Sequence, residues 1–139
     1  MGPGQLKPRQ TKYCFDIIKI IAKLQHATNA EILRAMRQNY PKLSATTVHR
    51  ATARLADRGK IAIAPSASDG SIRYDANLKP HDHFLCSRCG KLKDGDVKYR
   101  LIDTLRNSFA DCEIAGRITI CGLCRTCAVG GRIYENNYL

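Results

Sequence analysis

The chain has no run of apolar residues long enough to cross a bilayer. Its opening, Met-Gly-Pro-Gly-Gln-Leu-Lys-Pro-Arg, has no apolar stretch of the kind that drives secretion. A membrane protein and an exported, disulfide-stapled one are both disfavoured on that ground. Seven cysteines, an odd number, point the same way, to reduced thiols in a cytoplasmic protein. Acidic residues are scarce: 12 Asp and Glu stand against 23 Lys and Arg, for a formal charge of +11. An excess of that size suits a polyanionic partner, nucleic acid being the commonest. Length is limited as well. The 139 residues allow one domain or two small ones, neither with a large core, so a staple such as a metal is expected.

The cysteines that are present have a grammar. Cys86-Ser-Arg-Cys89 and Cys121-Gly-Leu-Cys124-Arg-Thr-Cys127 are CxxC knuckles about 35 residues apart. Each knuckle offers two thiolates from a tight turn, and a pair of them can enclose one tetrahedral zinc. Spacing alone leaves Cys121–Cys124 and Cys124–Cys127 open as the second knuckle. Just before the first lies His81-Asp82-His83, a run of harder nitrogen and oxygen donors. A sulfur set beside a nitrogen/oxygen set suggests one metal that holds the fold and another that is sensed or used. Cys14 and Cys112 read most simply as small buried apolar residues.

In the first half, Tyr13, Ile17, Ile18, Ile20, Ile21 and Leu24 have helical spacing over residues 11 to about 24. Thr28 or Asn29 can cap a second helix with Ile32, Leu33 and Met36 inward, ended by Pro41. Ser44 opens a third, Ser44 to Arg58, with Gly59 just past its end. There Val48, Ala51 and Leu55 should face a core. Thr46, Thr47, His49, Arg50 and Arg54 then fall on the outer surface, where a helix can meet phosphates and base edges. Ile61–Ala64, a turn ending at Gly70, and Ser71–Asp75 predict strand, loop, strand. Three helices and a hairpin is the order of a winged helix-turn-helix.

Asn77-Leu-Lys-Pro80 reads as a hinge, since Pro80 pushes its predecessor out of the helical region. Beyond it, Leu101, Ile102, Leu105 and Phe109 predict a helix over 97–109, and residues 113–120 alternate as a strand. So small a module exposes sheet edges, and dimerisation is a simple way to cover them. The expectation is an α/β (α+β) chain: a winged helix-turn-helix over 1–76, a hinge at 77–80, and a dimerisation and metal-binding domain over 81–139.

These residues resemble the ferric uptake regulator superfamily of metal-dependent repressors, from about Leu6 to Cys127. The resemblance rests on Leu43-Ser44-Ala-Thr-Thr-Val48, on His81-Asp-His83-Phe-Leu-Cys86-Ser-Arg-Cys89-Gly90, and on Gly122-Leu-Cys124-Arg-Thr-Cys127. It implies a structural zinc on Cys86, Cys89, Cys124 and Cys127, because Gly122-Leu precedes the second pair in the family's register. It also implies a homodimer bound to double-stranded operator DNA through Thr46, Thr47, His49, Arg50 and Arg54. No membrane or small-molecule substrate is implied.

The match is nearest to the peroxide-sensing branch, which implies a regulatory Fe(II) or Mn(II) held by His26, Asp75, His81, His83 and Asp94. Three imidazoles and two carboxylates suit those ions, and five donors leave room for an incoming ligand. Iron sensors of the family more often carry Glu in place of Asp75 or Asp94, and zinc sensors tend to place a Cys among these donors. An iron or other metal uptake regulator without peroxide sensing is the alternative. An auxiliary site of many members is broken here by Pro80, Leu101 and Gly116, which leaves Asp82 as a remnant or a support for its neighbours. Against the family's pattern, the leading helix is expected to be missing or much shortened, with about ten residues before Thr11, and His49 stands where a Tyr usually touches DNA. A zinc-dependent nucleobase deaminase would need a Glu two residues after its ligand His and a Pro before the first Cys. His83 and Leu85 stand there instead, so no enzyme is expected. A zinc-ribbon adaptor that binds nucleic acid without sensing would be separated by titrating metal in the presence of DNA.

Overall fold

Cys14, Ile17 and Ile21 recur at three- and four-residue steps and are all buried, forming the inner stripe of helix α1 (Pro8–Leu24). The computed structural model describes residues 8–129, with side chains from residue 11. The helix thus begins at Pro8 rather than at Thr11. Gln25 turns the chain with φ 70° into strand β1 (His26–Thr28), which the sequence reading missed. Three residues are too few for alternation to register.

Thr28 caps helix α2 (Asn29–Met36). Its Oγ1 accepts from the Glu31 amide at 3.2 Å while the Glu31 carboxylate accepts from the Thr28 amide at 2.9 Å. This reciprocal box resolves the choice between Thr28 and Asn29. Asn29 instead accepts the Thr52 hydroxyl at 2.8 Å. The helix ends at Met36, ahead of Pro41, in turns that close through Tyr40.

Ser44 accepts from the Thr47 amide and opens helix α3 (Ala45–Asp57). Gly59, at φ 66°, follows its end in the left-handed conformation that glycine adopts most readily. Val48, Ala51 and Leu55 point inward as expected, and so does Thr52, fully buried. Strands β2 (Ala62–Ala64) and β3 (Arg73–Asp75) are each shorter than expected. With β1 they make an antiparallel sheet of order β1-β3-β2, in which His26 is paired with Asp75. Arg73 anchors the intervening loop by donating to the carbonyls of Pro65 and Ser66, both at 2.9 Å. The core of this unit joins α1, α2, α3 and Tyr74.

The chain divides into two compact units, one through Lys79 and the other from Pro80 on. In the second, strand β4 (Asp82–Cys86) is central, antiparallel to β5 (Leu92–Gly95) and parallel to β6 (Thr119–Gly122). Helix α4 (Lys98–Ser108) supplies the crossover that a parallel pair needs. A short α5 (Arg125–Val129) follows β6. The strand expected over 113–120 forms only from Thr119. Residues 113–118 carry Gly116 at φ 73°, a break that alternation cannot reveal. A Cβ on Gly122 would lie 3.1 Å from the Phe84 ring, so the ring can close over this strand because the residue is glycine. Cys14 is buried as expected, whereas Cys112 is exposed, in the turn after α4.

Candidate metal centres and nucleic-acid interface

The first CxxC occupies the turn from β4 to β5. The Gly90 amide returns to the Cys86 carbonyl at 2.9 Å, with Gly90 at φ 75°. The Ser87 amide and hydroxyl both donate to the Gly122 carbonyl, at 2.8 and 3.1 Å, and Arg88 donates to the Cys127 carbonyl at 3.0 Å. These bonds bring the second knuckle to the first. Sulfur atoms of Cys86, Cys89, Cys124 and Cys127 lie within 4.8 Å of one another, and Cys89 and Cys124 are 3.8 Å apart. Cys121 is exposed on β6 and lies outside the quartet.

The local electrostatics suit a metal that takes thiolates. Backbone amides, those of Cys124 and Cys89 foremost, pull the Cys86 thiol down to about 6. Cys124 is lowered chiefly by the Cys127 amide, while Cys127 is pushed up to about 12 because its S–H serves as donor to Cys124. One end of the quartet is ready to bind and the other gives up its proton on closure. Four thiolates in a closed cluster fit a structural zinc.

The nitrogen and oxygen donors form two sets. In the first unit, His26 Nε2 lies 3.4 Å from Asp75 Oδ2, both side chains buried, as their register across β1 and β3 dictates. In the second, the His81 and His83 Nε2 atoms are 3.1 Å apart. They lie 3.5 and 3.4 Å from Asp94 Oδ1, His83 facing Asp94 across β4 and β5. Two imidazoles at i and i+2 share a face of a strand, and Asp94 projects beside them from the neighbouring strand. Asp82, on the other face, is 1% exposed and belongs to neither set. Burial pushes its carboxyl up, but backbone N–H donors from Ile118, Lys98 and Val97 outweigh that and hold it below the usual range. It is no idle remnant. Its partners lie 15, 16 and 36 residues away, too distant for the sequence reading to connect.

On α3, Thr46, His49 and Arg50 are exposed and Thr47 and Arg54 half-buried. The Thr47 hydroxyl is 2.9 Å from that of Ser44, so it belongs to the helix cap. Thr47, Arg50 and Arg54 line a pocket of about 160 Å³ with Ala51 and, from α1, Tyr13 and Cys14. The contribution of α1 was not foreseen, because helical spacing gives no azimuth between helices.

The ferric uptake regulator family model matches residues 6–115. The chain belongs to the ferric uptake regulator family. The peroxide-responsive repressor PerR of Staphylococcus aureus (strain USA300) is 29% identical over 110 residues, covering 78% of this chain and 74% of that protein. The Helicobacter pylori ferric uptake regulator Fur superposes with a TM-score of 0.67 at 21% identity, covering 84% of this chain and 82% of that one. The Campylobacter jejuni peroxide stress regulator gives a TM-score of 0.67 at 20% identity, covering 86% and 91%. The mixed helix-and-sheet chain therefore has a Fur-like fold. Members of the family are metal-responsive transcription regulators that act as DNA-binding dimers, not enzymes. Among the described residues no helix is long and apolar enough to cross a membrane.

Proposed function

We propose that this chain is a homodimeric repressor that senses peroxide through a regulatory Fe(II) or Mn(II), with a zinc on Cys86, Cys89, Cys124 and Cys127 holding the second unit together. His26 and Asp75 of the first unit, with His81, His83 and Asp94 of the second, together hold the regulatory ion. The observation that carries the reading is that the imidazole and carboxylate donors, two in the first unit and three in the second, include no sulfur, while four thiols form a separate quartet. Such donors favour Fe(II) or Mn(II), whereas the thiolates select zinc. Neither the first unit's two donors nor the second unit's three fill a coordination sphere, so one ion can join the domains at 1–76 and 81–139 through the 77–80 hinge.

Fe(II) in this set would supply one-electron reduction of peroxide. The oxidant formed would attack an imidazole of the set, and the family resemblance names His26 or His81; loss of either as a donor unties the two domains. The thiolates, saturated by zinc, react later. In support of a dimer, α4 buries none of its residues, and Tyr99, Leu101, Phe109 and the Ile120 of β6 are exposed. Arg50 and Arg54, lining one pocket on α3, suit contact with operator DNA alongside Thr46, Thr47 and His49.

The test is peptide mass spectrometry after Fe(II) and dilute peroxide. One added oxygen is expected on a His26 or His81 peptide, and none with Mn(II). Oxygen on cysteine peptides alone, or no dependence on iron, would leave a metal-dependent uptake regulator. That second reading is favoured by the likeness to PerR standing below 30% identity while Fur itself shares the fold. The DNA surface is tested with an Arg50→Ala/Arg54→Ala protein. A loss of roughly 1–3 kcal/mol per contact is expected if bases are read. Unchanged operator affinity would move the interface elsewhere.

A further inference from the structure

Asp82 sits between two imidazoles and contacts neither of the donor sets. Successive residues of extended chain point to opposite faces, so His81, just before β4, lies beside His83 on one face while Asp82, the first residue of β4, projects from the other. There its two oxygens are engaged by three backbone donors. Oδ2 accepts from the amides of Val97 and Lys98, both at 2.8 Å, and Oδ1 from Ile118 at 3.0 Å. Val97 is the N-cap of α4 and makes no capping bond with its own side chain. The Asp82 carboxylate therefore caps α4 from a distant strand, with its charge at the favourable end of the helix.

Each contact bears on a metal donor. His81 and His83 are its chain neighbours. Asp94 lies three residues before Val97, in a strand whose Gly95 is paired with Asp82 itself. Ile118, whose amide binds Asp82, returns its carbonyl to the His83 amide at 3.0 Å.

We propose that Asp82 is a positioning residue, whose buried carboxylate fixes His81, His83 and Asp94 in place by tying β4 to the start of α4 and to the segment entering β6. It acts through backbone amides and never touches the ion. This rests on the reading of those three side chains as metal donors. Donor geometry is set by the groups behind the donors, and losing such support weakens metal binding with every ligand still present. In Asp82→Asn one oxygen becomes an NH2 that faces N–H donors, so the Ile118 attachment is lost if it replaces Oδ1, and those of Val97 and Lys98 are lost if it replaces Oδ2.

The experiment is a Mn(II) titration of the zinc-loaded full chain, following free Mn(II) by electron paramagnetic resonance. Wild type, Asp82→Asn and Leu105→Ala are compared, the last loosening α4 through packing without touching its cap. Asp82→Asn should bind Mn(II) at least tenfold more weakly. Leu105→Ala, compared at matched loss of thermal stability, should stay within twofold of wild type. Zinc content should hold, because the quartet closes on the Ser87–Gly122 bonds that Asp82 does not touch. Should the Asn protein fail to keep zinc, Asp82→Glu keeps the charge but displaces the carboxylate by one methylene, and it should fold with Mn(II) binding weakened at least threefold. Wild-type affinity in either folded variant, or an equal loss in Leu105→Ala, would overturn the role of Asp82 while leaving the donors intact. If wild type takes up no Mn(II), the donor reading itself falls, and this proposal with it.

Discussion

The two units of this chain are held together by different means. The first buries Ile17, Ile21, Ile32, Met36, Val48, Leu55 and Tyr74 around three helices. In the second, only Cys86 and Leu92 among the described apolar residues are buried, and α4 and α5 bury nothing. A unit without a core must draw stability from elsewhere. Here the sources are the thiol quartet, the amides around Asp82, and an apolar helix face that a second copy can cover. The first unit is stable by hydrophobic burial, and the second is conditional on what it binds.

The largest effect should come from removing the zinc proposed for the thiol quartet. Structural zinc sites carry roughly 10–16 kcal/mol of apparent binding free energy at neutral pH, and that becomes folding free energy where the core is small. Stripping the metal, or Cys86→Ser, should abolish amide protection over β4, β5 and β6 and give a monomer, while α1, α2 and α3 keep theirs. Hydrogen exchange with mass spectrometry reads both halves at once. Full protection of β4 in a zinc-free Cys86→Ser protein would erase the contrast between the units. Acid should act in the same direction. The Cys86 thiol is drawn down to about 6, so its thiolate is available above that pH and protons compete with the metal below it. Zinc retention should therefore fall as pH drops through about 6.

Packing changes come next, and they should act on one unit only. Ile32 is fully buried, and Ile32→Ala should cost about 2–5 kcal/mol of stability in the first unit. Leu101 on α4 is 41% exposed, and Leu101→Ala should shift denaturation of the monomer by no more than about 0.5 kcal/mol. If α4 meets a second copy, the same change appears as a weaker dimer in sedimentation equilibrium. Equal costs for the two substitutions in the monomer would show that the second unit has a core after all.

The same contrast governs what could be read from the sequence. Helical stripes such as Val48, Ala51 and Leu55 are legible because burial writes a 3.6-residue period into the chain, and the first unit is built from such stripes. The knuckles are legible because metal chemistry fixes their spacing. Strands β1, β4 and β5 were not, being three to five residues long and held by pairing that leaves little pattern. Cys112 was misjudged because cysteine is usually buried, yet here it lies in an exposed turn. The choice of Cys127 over Cys121 and the cap of α4 by Asp82 depend on contacts across 15 residues or more, which neither period nor spacing encodes.

The smallest effect concerns Gln25, at the seam between α1 and β1. It follows the last residue of α1 with φ 70°, the left-handed position after a helix where glycine is usual. A side chain there costs about 1 kcal/mol from Cβ crowding, partly offset by the greater freedom that glycine has when unfolded. Gln25→Gly should thus stabilise the first unit by roughly 0.5–1 kcal/mol, seen as a higher urea midpoint at unchanged slope. The next residue is His26, and its pairing with Asp75 is set by β1 and β3 rather than by the turn. The histidine–aspartate geometry should therefore survive, with Mn(II) affinity within twofold of wild type. A lower midpoint would mean that the Gln25 side chain makes contacts worth more than the backbone relief. A loss of Mn(II) binding at a raised midpoint would mean that the strained turn, and not the sheet register, aims His26.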